Sequence, residues 1–435
     1  MNTPDSDRSV DGLGVWLQTT GGVVAVLLLV QFLTGILLAF YYVPSVDHAH
    51  TTVSYIEKVV SSGSWLRSLH HYGSQWLALF VFLHVVRLFL SKAYVDRTIT
   101  WVAAVVMLGL VMAAAGTGYS LPWDARAFFS TRVAEGLMSG LPLIGRNARF
   151  WVLGGNDIST ITLSRFFAVH VLIVPFAILG VIAWRFRGRA CWANVSRNAI
   201  AGSVVFVALA IWCAKFPAPL GPPVETMTAD YLPRPGAQFL WLYQLLKYVP
   251  GGLGSIVGVI LPGIGLAILL LLPRLKAQRL LGTAILAALT VTALTMTIVS
   301  YMSDRSDSHT REQLAKQAAE EAKWRSEPFN PQLLQGAQRE TQAATGAPVM
   351  YMKYCVNCHG PRGEGAQQGA LRFPPLLDVA AKPRRTTEDI VSLLKDPTAY
   401  GLQPPMRSFN DKLTEEQMRE IAAWVVQLTR QDKQK

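Results

Sequence analysis

The chain has 435 residues, with 40 Lys and Arg against 28 Asp and Glu, a formal net charge of +12, 51% apolar residues and only 16% charged ones. A soluble globular chain carries about 25% charged residues, and the deficit here sits in long apolar runs before Met302, which argues against a purely soluble enzyme and against a disordered chain. Four cysteines (Cys191, Cys213, Cys355, Cys358) are too few for a disulfide framework, and the basic excess has no nucleic-acid recognition motif beside it, so it is read as the charge that flanks membrane spans and no nucleic acid is expected as a partner.

In chain order, residues 1–20 are mostly polar and lack the basic start and short apolar core of a cleavable signal. Seven apolar runs follow, at residues 23–43, 69–90, 101–119, 166–184, 199–214, 253–272 and 280–300. Most reach the roughly 20 residues that cross a bilayer as a helix; the run from 199 is short and extendable at either end. The segments 91–97, 185–197 and 274–279 hold nine basic residues (Lys92, Arg97, Arg185, Arg187, Arg189, Arg197, Arg274, Lys276, Arg279) and one acid, Asp96. The positive-inside rule puts them and the N-terminus in the cytoplasm, and seven crossings leave the C-terminus outside. The two long loops on that outer side, 122–165 and 215–252, are rich in Pro, Gly and aromatics and show no clear helix or strand pattern.

Beyond Met302 the composition turns polar. Residues 302–346 read as a charged linker with a helical stretch near 311–324 and breaks at Pro328 and Pro331. Residues 347–435 read as a small unit closed by an amphipathic helix at 414–428, on which Ile421, Trp424, Val425 and Leu428 share one face. The fold class is therefore all-α: a polytopic membrane bundle of about seven transmembrane helices plus a small α-helical domain.

That domain carries Cys355-Val356-Asn357-Cys358-His359. In a C-x-x-C-H run two thiols add across haem vinyl groups and the adjacent histidine ligates the iron. Half of a zinc site or a redox pair would not need His359, and no second cysteine pair lies nearby. A distal ligand is expected downstream in a loop, and Met406, after Pro404 and Pro405, fits. From Met350 to Leu428 the segment resembles class I cytochrome c, with the attachment motif, the Gly360–Gly365 loop, Pro-Pro-Met and a terminal helix in that order. The resemblance implies one covalently attached haem c on Cys355, Cys358, His359 and Met406.

Ionisable groups inside a bilayer are costly, so an intramembrane histidine is a functional candidate by default. His70 and His84 are 14 residues apart in the second run, nearly four helical turns, so they face one way about 21 Å apart along the axis. His170 starts the fourth run, level with His70; His71 is read as a spectator, and His48, His50 and His309 as solvated. The stretches Gln31-Phe32-Leu33-Thr34-Gly35, Trp65-Leu66-Arg67-Ser68-Leu69-His70, Leu83-His84-Val85-Val86-Arg87, Gly118-Tyr119-Ser120-Leu121-Pro122-Trp123 and Ser164-Arg165-Phe166-Phe167-Ala168-Val169-His170 resemble cytochrome b of the bc-type quinol:cytochrome c oxidoreductases, in its short form joined to subunit IV. The resemblance implies four domains: residues 1–190 (haem-binding region), 191–301 (subunit IV-like), 302–346 (linker) and 347–435 (cytochrome c). It implies an outer haem b on His70 and His170, an inner one on His84, Arg67 and Arg87 near haem propionates, and Gly21, Gly35 and Gly118 where a haem edge approaches backbone.

Three departures stand out. The family's fourth ligand would fall at residue 185 in the short form, counted from Pro175, or at 184 in the longer form; these are Arg185 and Trp184. The glycine expected 14 residues before Gly118 is Ala104. The family's Pro-Glu-Trp-Tyr on the outer loop is Pro235-Gly236-Ala237-Gln238, and the glutamate that accepts a quinol proton is absent.

The expected function is a membrane electron-transfer cytochrome b/c fusion, relaying electrons between quinol or a partner redox protein and a periplasmic acceptor without a standard Q cycle. It would hold one haem b, with a second only if His84 binds one alone, one haem c and, as a substrate, quinone. The alternatives are a proton-translocating quinol:cytochrome c reductase subunit with a five-coordinate inner haem, and a structural anchor for haem c. The resemblance implies membrane lipid, a homodimer or larger redox complex, an iron–sulfur (Rieske-type) subunit and a soluble cytochrome or oxidase as partners. It implies a bacterial inner membrane location with the cytochrome c domain periplasmic.

Overall fold

Where an apolar run starts and stops as a helix is decided at its ends. The computed structural model describes residues 19–155, 157–187, 195–224, 231–275, 278–331, 347–360, 362–368, 371–373, 375–376, 385–400, 406 and 408–431. Arg189, Cys191, Lys276, Pro404 and Pro405 lie outside the described residues. The chain forms two compact units: residues 1–220, 234–311 and 327–329, and residues 221–233, 312–326 and 330–435.

The first unit contains α1 (Thr20–Ala39), α2 (Ala49–Lys58), α3 (Gly63–Leu90), α4 (Thr98–Tyr119), α5 (Ala125–Ser139), α6 (Gly145–Leu153), α7 (Thr160–Phe186), α8 (Val195–Lys215), α9 (Ala237–Leu246), α10 (Gly251–Arg274) and α11 (Gln278–Ser306). Among the described residues seven of these, α1, α3, α4, α7, α8, α10 and α11, are long and apolar enough to cross a bilayer. Helix α1 stops at Ala39, before Pro44 can force its neighbour extended. The run from 199 gains its missing length at both ends, as Val195–Lys215. The loops expected to be irregular hold helices of their own. Asp124 starts α5 by accepting the Ala127 N–H at 2.8 Å, and Gly236 precedes α9 with extended backbone.

Helix α1 packs on α3 and α8, α3 on α4, and α4 on α7, around Leu27, Leu77, Val81, Val111, Ile178 and Leu209. A second core at the His84 end of α3 gathers Val85, Leu88, Trp101, Val105, Leu269 and Leu272, and the Trp101 indole N–H donates to the Leu269 carbonyl at 2.8 Å. Leu29, Leu33, Leu79, Phe176, Val204 and Leu294 stay exposed on the spans. So much outward apolar surface suits lipid and not water, and the chain is an integral membrane protein.

The second unit includes α12 (Ser308–Ser326), most of whose length falls here and which buries none of its residues, then α13 (Val349–Tyr354) and α14 (Val356–His359). A short antiparallel pair follows, β1 (Ala366–Gln368) with β2 (Leu371–Phe373), in the register Ala366↔Phe373. Helices α15 (Thr387–Lys395) and α16 (Glu415–Gln431) complete it. Two strands of three residues are the departure from an otherwise all-α design. The core joins Tyr351, Cys355, Leu394, Met418, Ile421 and Trp424, with the Tyr351 and Trp424 rings 4.4 Å apart.

Candidate haem sites

On α3, His70 and His84 keep the face-sharing spacing of 14 residues. The imidazole of His170, from α7, meets that of His70 at 6.0 Å between ring centroids, with the ring planes at 81°. Metal–imidazole bonds of about 2 Å on either side of one metal put two ring centroids about 6 Å apart. Among the described residues no three His, Cys, Asp or Glu side chains converge on a common point. Two imidazoles alone would undersupply a bare ion, whereas haem brings four equatorial nitrogens of its own. The pair fits haem.

The orientation of each ring comes from a residue that the sequence reading passed over. The Thr34 hydroxyl donates to the Val30 carbonyl at 2.7 Å, so towards His70 Nδ1, 2.9 Å away, it can only accept. His170 Nδ1 lies 3.0 Å from the Ala114 carbonyl, which also can only accept. Both rings therefore carry their proton on Nδ1 and present the Nε2 lone pair, as a ligand imidazole must. His84 Nδ1 pairs with the Thr20 hydroxyl at 2.9 Å. Each hydroxyl or carbonyl sits beside a glycine against the same ring. A Cβ on Gly35 would lie 3.0 Å from His70 Cε1, on Gly118 2.5 Å from His170 Cε1, and on Gly21 3.3 Å from His84 Cε1. A signal was available: before residue 302 the dipeptide Thr-Gly occurs at 20–21, 34–35 and 117–118, once per histidine.

Arg67 pairs with the buried carboxylate of Glu57 and donates to the Ala218 and Pro219 carbonyls. Arg87 reaches the Thr20 hydroxyl at 3.4 Å. His71 turns away from the pair and meets the Gln75 amide at 3.1 Å.

Backbone register bears on the fourth position. Residues Val169–Ile173 form a π-turn just ahead of Pro175, which has no N–H to give the preceding turn. A π-turn takes in one residue more than an α-turn. Fifteen residues on α7 therefore subtend the same rotation as 14 on α3, and the counterpart of His84 is Arg185, not Trp184. Trp184 is 44% exposed on the outside of the bundle. Arg185 is half-buried with its guanidinium 5.1 Å from the Phe186 ring, and its charge acts on His84. The wall that would carry the fourth Thr-Gly is Ala103-Ala104, both buried. The inner position thus fits a haem on the His84 side and offers it no ligand from Arg185.

At the other end, the Tyr119 hydroxyl donates to the Arg234 carbonyl at 3.3 Å, and Arg234 pairs with Asp304 of α11. The Gln238 carboxamide oxygen lies 2.7 Å from the place of a Cβ on Gly236. It fills the room a side chain there would need, buried and without a hydrogen-bond partner among the described residues.

In the second unit Cys355 caps α14, whose single turn brings Cys358 and His359 onto one short stretch of chain; the His359 N–H donates to the Cys355 carbonyl at 2.9 Å. Gly360 ends the turn at φ +75°, a conformation that favours glycine, and its carbonyl accepts the Tyr351 hydroxyl at 2.6 Å. Burial pushes the Cys355 thiol up to about 12, so this pocket suits an uncharged thioether better than a thiolate. Met406 is half-buried against the same core. These donors fit a covalently held haem.

Comparison with known proteins assigns the two regions to a haem b and a haem c family. The family model described as cytochrome b/b6/petB matches residues 11–187, and that described as cytochrome c matches residues 343–429. The menaquinol:cytochrome c reductase cytochrome b subunit of Geobacillus thermodenitrificans is 36% identical over 168 residues, 38% of this chain and 75% of that protein. Cytochrome b6 of Prochlorococcus marinus (strain MIT 9215) is 36% identical over 159 residues, 36% of this chain and 73% of that protein. Among solved structures, a chain of a hyperthermophilic respiratory complex III aligns with a TM-score of 0.45 and 18% identity, covering 66% of this chain and 91% of its own.

Proposed function

Since the chain belongs to the cytochrome b family and carries a C-terminal cytochrome c domain, we propose that this membrane electron-transfer protein is a one-sided relay. It joins a haem b held by His70 and His170 to a haem c held by Cys355, Cys358, His359 and Met406. Bound haem supplies a one-electron iron couple at each site. His70 and His170 would hold it through Nε2, Thr34 and Ala114 fix their tautomers, and Gly35 and Gly118 leave room for the two imidazole rings.

The observation that carries the reading is an asymmetry. His70 faces His170 at 6.0 Å, while the register equivalent of His170 beside His84 is Arg185. A standard Q cycle needs a second bis-histidine haem and a proton acceptor on the outer loop. Gln238 accepts a hydrogen bond but not a proton near neutral pH. Seven crossings that start at Thr20, beside His84, bring α11 out at the His70 end, where Asp304 meets Arg234. With the basic loops cytoplasmic, this supports a periplasmic cytochrome c domain on a bacterial inner membrane. The relay would take electrons from quinol or an iron–sulfur partner within a larger redox complex and give them to a soluble cytochrome or oxidase. Residues 191–301 would act as the subunit IV-like part and 302–346 as the tether, which keeps haem c at high local concentration.

The test is His170→Ala in membranes with haem c still attached. Haem c reduction after a pulse of quinol should be lost in the variant and present in the parent chain. An unchanged rate would refute the relay.

A further inference from the structure

We propose that His84 holds a second haem b by a single axial bond, and that its other face, beneath Arg185, is a binding site for a small exchangeable anion. The proposal rests on reading the chain as a haem b protein. A histidine kept only to fill a core needs neither a hydroxyl fixed to Nδ1 nor a glycine pressed on the ring. His84 has both, Thr20 at 2.9 Å and Gly21, where a Cβ would lie 3.3 Å from Cε1; His70 has the same pair in Thr34 and Gly35, and His170 has the Ala114 carbonyl with Gly118. The His84 half of the site is therefore complete.

The facing half is changed in every member. Ala103 and Ala104, both buried, replace a hydroxyl and a glycine that would serve a ligand ring, and the ligand's own position is Arg185. Arg185 has no lone pair to offer iron, since guanidinium stays protonated and only donates. What it offers instead is a fork of N–H donors and a positive charge, at the register position of the missing ligand. Arg87 and Arg97 add positive charge around His84. An iron with one vacant axial position beside such a group favours an anionic sixth ligand, held by a charge-assisted hydrogen bond.

The experiment uses the full purified chain. Haemochrome spectra should give two haems b per haem c. The ferric protein should bind azide with a change in spin state, and the dithionite-reduced protein should take up carbon monoxide. Arg185→His should keep both haems b and abolish azide and carbon monoxide uptake by supplying the sixth ligand. Arg185→Gln should keep carbon monoxide uptake and weaken azide about tenfold or more, the effect of losing one charged hydrogen bond. One haem b per haem c would overturn the proposal and leave the relay standing. Two haems b that bind neither probe would overturn it through an unforeseen sixth ligand. Retained carbon monoxide uptake in Arg185→His would overturn the placement of Arg185. A chain with no haem b would sink the underlying reading instead.

Discussion

Two glycines on α4, two residues apart, should respond in opposite ways to the same substitution. A methyl group on Gly118 would stand 2.5 Å from His170 Cε1, 2.9 Å from its Nδ1 and 3.1 Å from its Nε2. Ordinary carbon contacts lie at about 3.5–4.0 Å, so the imidazole must withdraw by about 1 Å. A site of this kind tolerates about 0.5 Å before its geometry fails, and the retreat also stretches the 3.0 Å hydrogen bond to Ala114. Overpacking of this order costs about 1–3 kcal/mol, or roughly a 5- to 150-fold loss of haem affinity at 1.4 kcal/mol per decade. At Gly116 a Cβ meets nothing within 4 Å, so alanine there gains about 0.4–1 kcal/mol from the better helix former and the stiffer unfolded chain. The assay is the haem b to haem c ratio of each purified variant, with the covalent haem c counting chains. Gly118→Ala should lose one haem b per chain and Gly116→Ala none. Equal ratios in the two variants would refute the assignment of Gly118 to close approach on His170.

Thr34→Val leaves the His70 N–H without its acceptor; haem transfer from the variant to an excess of apoprotein acceptor should speed up about 10- to 100-fold, the usual cost of removing a group that orients a metal ligand. Glu57→Gln leaves the Arg67 charge buried without its counter-ion, and the bundle should lose about 3–5 kcal/mol, read as a lowered thermal unfolding midpoint of the membrane unit. Thr386→Ala removes the cap of α15, where the Asp389 N–H donates to Thr386 Oγ1 at 3.2 Å. At about 1 kcal/mol for a cap this should lower the melting of the cytochrome c domain by about 4–8 °C, followed by Soret circular dichroism. Backbone and side-chain hydrogen bonds from Thr386 hold the Asp389 carboxyl below its ordinary range. Its folded value is lowered, so its contribution is present at neutral pH and lost as the pH falls through the carboxylate range. The melting difference between the parent chain and Asp389→Asn should therefore vanish in acid.

Much of this protein is legible in one dimension because the bilayer and the haem impose short-range rules. A span must be apolar for about 20 residues whatever its neighbours are, so all seven appear as runs. Covalent attachment needs two thiols and a histidine within five residues, so Cys355, Cys358 and His359 name their own chemistry. His70 and His84 declare a common face because 14 residues close four turns of any α-helix. The helices of the outer loops were hidden because they are short, bury few residues and begin at local signals such as the Asp124 cap.

The remainder was decided by contacts between distant segments. Thr34 and His70 are 36 residues apart and Thr20 and His84 are 64 apart, so no periodicity within one helix could disclose that a hydroxyl fixes each ring. Counting along the sequence put Arg185 at the fourth position in the short form of the family and Trp184 there in the longer form. The π-turn at Val169–Ile173 chose between them, because one extra residue wound into a single turn rotates everything after it by about 100°. From sequence came which residues are able to ligate iron. The packing of α1, α4 and α7 around α3 decided which of them meet, because two imidazoles on opposite sides of one metal must be brought together from separate helices.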